Sequence, residues 1–288
     1  MIEEEKKLFV DKLLSMAKNE IRISYKLSDR PIEGAVSKIG GKPFVPKDFE
    51  WPYYTGVDYL DENLKRRPLS FLAQFNLKDI APFDSDNVLP KSGMLSVFYE
   101  LETMRWGFDP DDSGCAKIFY FPEINELGEA DYPEDLDEDF IVTEFFVEAS
   151  SHISIPQFCD YMEDDKPDWD DYDECCIAAG YDPDEWGTYS KFLGYADVIQ
   201  NPMQEECECV TRGYRRGCPE DIKKIPDAEK LDIKERANDW VLLFQMGTVE
   251  TDHYELMFGD CGHIYFWIKK DDLAAKNFEK VWLILQCS

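Results

Sequence analysis

The residues able to do chemistry in this chain are few and scattered. Cys175, Cys176, Cys207, Cys209 and Cys218 fall within one acidic region. Structural zinc sites present cysteine pairs about two to four residues apart, so that both thiolates face one ion. Adjacent cysteines and a Cys-Glu-Cys step lack that spacing, and His152, His253 and His263 fall in no ligand pattern. These thiols are read as buried or incidental, and no metal or cofactor is expected. Asp168-Trp169-Asp170-Asp171-Tyr172-Asp173-Glu174 resembles an oxygen-donor loop, yet it has Asp173 at the EF-hand glycine position and Ala179 at the bidentate glutamate position. Cys261 and His263 would share one face of a strand, which brings a thiol within reach of a base. Gly-x-Ser-x-Gly is absent, and Ser37, Ser70 and Ser92 have no histidine nearby in sequence. No catalytic constellation is legible.

Two short loops hold more interest. In Ser37-Lys38-Ile39-Gly40-Gly41-Lys42, paired glycines beside lysines could present backbone N–H groups to an anion, although the phosphate-loop spacing is missing. Ser190-Lys191-Phe192-Leu193-Gly194-Tyr195 places a lysine at the matching point. Each loop precedes a block of strands. Phe71-Leu72-Ala73-Gln74-Phe75 is echoed by Leu242-Leu243-Phe244-Gln245-Met246, and Gly93 to Tyr99 by Gly262 to Ile268. This order of loop, strand with glutamine, insert, glycine and aromatic strand implies an internal duplication. Lys38, Gln74, Trp106, Lys191, Gln245 and Asp260 are therefore the candidates for lining a cleft between two similar lobes. Trp106 is included because a tryptophan in a Gly/Asp-rich turn meets ligands more often than one in a strand.

The elements that must position these residues are mostly strands. The apolar and aromatic runs Val241–Met246, His263–Ile268 and Val281–Gln286 predict three of them, and Ala116–Phe121 and Phe140–Val147 two more. Residues 2–20 show helical spacing, and Ile21–Tyr25 alternates as a strand. An exposed helix is predicted near Tyr172–Ala179. The fold class is α+β: sheet-rich, largely antiparallel, with an N-terminal helix and two lobes near 21–122 and 186–288. An acidic insert, 123–185, lies between them within a single domain spanning 1–288.

Charge narrows the partners. The chain carries 61 acidic and 31 basic residues, and between Glu123 and Glu185 twenty-three acids face only Lys166. Such a field disfavours nucleic acid and anionic lipid. No apolar run approaches the ~20 residues that span a bilayer. The acidic start lacks the basic-then-apolar plan of a signal peptide, and nine cysteines make an odd count, so a cytoplasmic setting is expected.

SKIGGKPFVP with EWP, PLSFLAQFNL, LPKSGMLSVFY, WGFDP, LGYADVIQNP and the terminal FGDCGHIYFWI to VWLILQC run from Ser37 to Cys287. On these motifs the chain resembles the YwqG-like family of bacterial proteins. The resemblance implies a sheet-rich α+β fold with internal duplication; the family's function is unknown, an immunity-type role beside toxin systems is a conjecture attached to it, and no catalytic residue is transferred. The leading expectation is a non-enzymatic binding protein whose acidic face, including Asp168, Asp170 and Asp171, engages a basic protein. The alternative is a small-molecule or enzymatic cleft between the lobes. Oligomeric state is not legible.

Overall fold

The computed structural model describes residues 3–58, 63–158, 168–181, 187 and 189–288. Two long strands form its axis. Strand β1 (Lys18–Leu27) pairs antiparallel with β10 (Phe145–Ser154) along all ten residues of each. On the β10 side lie β2 (Lys38–Ile39), β6 (Ser70–Asn76), β7 (Met94–Tyr99) and β8 (Ala116–Phe121). On the β1 side lie β11 (Ser190–Leu193), β12 (Trp240–Met246), β15 (His263–Lys269) and β16 (Trp282–Gln286). The ten strands make one antiparallel sheet. Three two-stranded sheets flank it: β3 (Phe44–Pro46) with β9 (Leu127–Glu129), β4 (Tyr53–Val57) with β5 (Leu64–Pro68), and β13 (Val249–Thr251) with β14 (Tyr254–Leu256).

The two flanks pair in matching registers. Lys38 stands opposite Gln74 and Lys191 opposite Gln245. Phe71 faces Phe98 as Leu242 faces Trp267, and each of these pairings carries a register shift just beyond that point, between Phe71 and Ala73 and between Leu242 and Phe244. Such bulges bend a strand and increase its twist. The sheet indeed folds over on itself. Phe75 of β6 lies 4.8 Å from Phe192 of β11 and 5.1 Å from Phe244, ring centre to ring centre. Three strands separate β6 from β11 within the sheet, a distance of about 19 Å if the sheet were flat. Both flanks therefore contribute to one shared apolar core.

Helices sit outside this sheet. Helix α1 (Glu3–Ser15) opens with three glutamates that suit its N-terminal dipole, and buries Phe9 and Leu13, one turn apart. It packs on α3 (Trp169–Ala178), whose Tyr172, Cys175 and Cys176 are buried with it. The helix expected near Tyr172–Ala179 is thus half-embedded. Helix α2 (Leu77–Ile80) follows β6, and α7 (Lys270–Ala274) follows β15. Helices α4 (Gln204–Thr211), α5 (Pro219–Lys224) and α6 (Asp227–Arg236) precede β12. Their apolar residues are sparse, with Ile233 the single buried side chain of α6, so helical periodicity is faint there.

The predicted strand at Phe140–Val147 begins at Phe145 and runs on to Ser154. Its exposed residues mix Glu148, Ser150 and Ser151 with Phe146 and Ile153, and full pairing with β1 holds it extended. It also divides the acidic stretch. Glu123 to Glu144 lies before one end of β10 and Asp168 to Glu174 beyond the other, and a ten-residue strand is ~30 Å long. Residues 159–167 and 182–186, Lys166 among them, fall outside the described residues. Among the described residues no helix is long and apolar enough to cross a membrane.

Candidate functional site

The two lysines do not meet in one cleft; each is locked into its own flank by the same wiring. The Gln74 side chain accepts from Phe44 N at 2.9 Å and donates to Val36 O at 2.8 Å. Gln245 accepts from Asp197 N at 3.0 Å and donates to Tyr189 O at 3.1 Å. Ser37 Oγ accepts from Asn76 N and Ser190 Oγ from Gly247 N. Lys38 Nζ reaches Glu144 at 2.6 Å and Lys191 Nζ reaches Glu20 at 2.9 Å. Both loops turn through left-handed backbone, Gly40 and Gly41 at φ +60° and +66°, Leu193 and Gly194 at +61° and +72°. Gly41 and Gly194 make room for the paired glutamates: a Cβ on Gly41 would lie 2.3 Å from Glu144, and one on Gly194 2.8 Å from Ser154 and 2.9 Å from Glu20. Strained Leu193 shows that the backbone path is imposed by this network.

The flanks then differ. Phe44 packs its ring 5.5 Å from Lys38 Nζ, whereas the matching position beside Lys191 is Asp197, at 2.7 Å. Phe146 stands opposite Lys38 and Arg22 opposite Lys191. Arg22 pairs with Glu20 at 2.7 Å, and its guanidinium lies 4.4 Å from the Tyr189 ring centre. Burial alone would lower the Lys191 pKa; Asp197 and Glu20 overcome it, and the ammonium is held above the usual lysine value. Burial likewise opposes ionisation of Glu20, but Lys191 and Arg22 prevail and its pKa is lowered. A lysine nucleophile needs the reverse shift. The recess above this cluster holds about 10 Å³, space for roughly one water. Lys191 is a structural cation.

The other candidates lie apart. Trp106 is half-buried and clamps the sheet edge: its carbonyl accepts from Leu285 N at 2.9 Å, and Gly107 O accepts from Trp282 Nε1 at 2.9 Å. Its loop covers the backbone groups that β16 would otherwise expose. Asp260 is exposed, and its carbonyl accepts from Ser288 N at 3.0 Å. Asp168 caps α3 by accepting from Asp171 N, Asp170 is exposed, and Asp171 bridges to Lys6 at 3.2 Å. Cys175 and Cys176 are buried against α1 while Cys207 and Cys209 are buried on α4; Cys218 is exposed. Among the described residues no three potential metal ligands gather. Cys261 is exposed at φ +50°, and His263 is buried, its pKa lowered by that burial.

A different cavity, of about 500 Å³, opens on the outer face of β12 and β15. Trp240, Leu242 and Trp267 form its floor, Tyr195 and Leu273 stand beside them, and Asp86 to Val88 reach over from the opposite flank. Its origin is clear from the matching position. Over the Phe71–Phe98 pair the chain lays Phe49 and Trp51, at 5.8 Å and 5.4 Å from the Phe98 ring. Over the Leu242–Trp267 pair, Met203, just before α4, and Cys207 of α4 cover only part of the face. Trp240 and Trp267 sit at the ends of apolar strand runs, where nothing in the sequence marks them off from core residues. The available signal was the absence of any Phe-Glu-Trp-Pro counterpart after Gly194.

The fold is thus that of an antiparallel, sheet-centred α+β protein. A model of the family described as Domain of unknown function (DUF1963) matches residues 37–287. The chain belongs to that family. No curated protein matches it.

Proposed function

We propose that this protein binds a small molecule in the cavity over Trp240, Leu242 and Trp267. The observation that carries the reading is an apolar floor left open at about 500 Å³, where the other flank fills the equivalent floor with its own Phe49 and Trp51. A volume of this size suits an organic ligand, since small-molecule sites run roughly 300–1,000 Å³. Both flanks wall it, so occupancy would also tie Asp86–Val88 to the β12 face. This moves the inter-lobe cleft from the two lysines to the outer sheet face.

The reading is supported by a duplicated architecture, which we infer from the matched registers, bulges and glutamine wiring. One copy keeps an aromatic cap of Phe49 and Trp51 over its strand pair, and the other has a helix and a pocket there. A YwqG-like identity within the family and a cytoplasmic setting are part of the same reading, the latter supported by eight free cysteines among the described residues.

Ala274 lines the pocket and is exposed at the end of α7, so Ala274→Trp fills the space without disturbing the core. Native mass spectrometry on protein drawn gently from its host should show a small-mass adduct on the wild type that the variant lacks. An adduct carried equally by both, or by neither, would count against the pocket.

A further inference from the structure

The charge of this pocket runs against that of the molecule. Acidic residues outnumber basic ones by 61 to 31 in the chain, yet Lys18 and Lys270 both line the pocket, and Asp86 is the one acid among the described residues around it. Asp86 is already engaged, its Oδ2 accepting from Asn19 N at 3.0 Å. Lys270 donates to Asn238 O at 2.8 Å, using one of an ammonium's three donors. The Lys18 ammonium lies 3.8 Å from the centre of the Tyr195 ring, on the pocket wall. Below them the floor is apolar. Trp267 is 3% exposed, and its indole N–H has no hydrogen-bond partner.

We propose that the ligand is an amphipathic organic anion. Its apolar or aromatic body lies on Trp240, Leu242 and Trp267, in the place that Phe49 and Trp51 occupy on the other flank. Its acidic head group sits between Lys18 and Lys270. The assignment rests on the pocket reading above and adds the chemistry of the ligand. Two lysines gathered at one apolar cavity have a physical purpose in so acidic a protein. The long-range field repels an anion, and only cations standing at the cavity itself, as exposed Lys18 and Lys270 do, can reverse that preference locally. An ammonium–carboxylate hydrogen bond is among the stronger polar contacts a pocket rim can make.

The test is equilibrium dialysis of the full chain against two sets of probes. One set is naphthoate, naphthylmethanol and naphthylmethylammonium; the other is decanoate, decanol and decylammonium. Within each set the body is constant and the head group changes. The carboxylate should bind at least about tenfold tighter than the alcohol, a difference of roughly one charged hydrogen bond, with the ammonium weakest. In the double variant Lys18→Gln/Lys270→Gln the carboxylate should fall to the affinity of the alcohol, while the alcohol's own affinity is unchanged and certifies an intact pocket. Equal binding of carboxylate and alcohol, or a preference that survives the double variant, would overturn the anion assignment and leave the pocket standing. Absence of binding by every probe, or binding that Ala274→Trp does not disturb, would overturn the pocket and the assignment together.

Discussion

Lys191→Met should destabilise the protein by about 3–5 kcal/mol, because it leaves Asp197 buried without its cation and Glu20 with Arg22 alone. The pair of carboxylates is the reason for this size. Each is nearly inaccessible; Asp197 takes its ion pair from this ammonium, and Glu20 shares it with Arg22. Lys38→Met removes the matching lysine and should cost distinctly less. Glu144 is partly exposed, so water can solvate it after the loss, and Phe44 beside it carries no charge. The triple variant Lys191→Met/Glu20→Gln/Asp197→Asn should recover most of the loss, since the two amide oxygens can still accept from Gln245 and Arg22. Thermal and urea unfolding of the variants side by side checks this ranking. Equal costs for the two lysines would show that the Asp197–Glu20 cluster is not the buried charge network described.

Glu206→Gln should stabilise the protein, and increasingly so as pH rises. Glu206 is buried on α4, and its Oε2 lacks a hydrogen-bond partner. Burial pushes its pKa up to about 7, with Arg216 only partly opposing. The folded state therefore holds a proton that the unfolded chain releases near the ordinary value of 4.5. Stability contributed by the protonated form is complete below that value and is lost as pH rises through about 7. Glutamine mimics the protonated carboxyl at every pH. The variant should thus differ little from wild type near pH 5 and exceed it by on the order of 2 kcal/mol near pH 8. A stability difference of the same size at both pH values would refute the buried, elevated carboxyl.

Much of the fold was legible because its signals are local. The runs around Leu242, Tyr265 and Ile284 are apolar and β-branched or aromatic over a strand's length, and the strands fall there within a residue or so. The parallel between Gln74 and Gln245 was legible for the same reason: a polar residue inside an apolar run stands out. What those glutamines do was not legible, because their partners, Val36 and Phe44 or Tyr189 and Asp197, are fixed only by the turn of the loops. The lysines looked like ligands for an anion. Their partners, Glu144 just before β10 and Glu20 in β1, are distant in sequence, and that pairing makes them structural.

The acidic stretch illustrates the converse. Composition alone made it one region, yet β10 runs through its middle, pairs with β1, and sets the two acidic ends apart. The pocket was hidden for a further reason. Trp240 and Trp267 are typical buried strand residues, and whether their outer face is capped depends on what packs there from elsewhere. Phe49 and Trp51 cap one flank. Helix α4, with its weak apolar pattern, leaves the other partly open.

The position of a bound probe tests the central claim most directly. A crystal structure of the protein with naphthoate should place the ring system on Trp240 and Trp267, with its carboxylate beside Lys18 and Lys270. The molecule also offers an open aromatic surface around Phe49, Trp51 and Phe119. Naphthoate bound there, with the floor over Trp267 empty, would contradict the account.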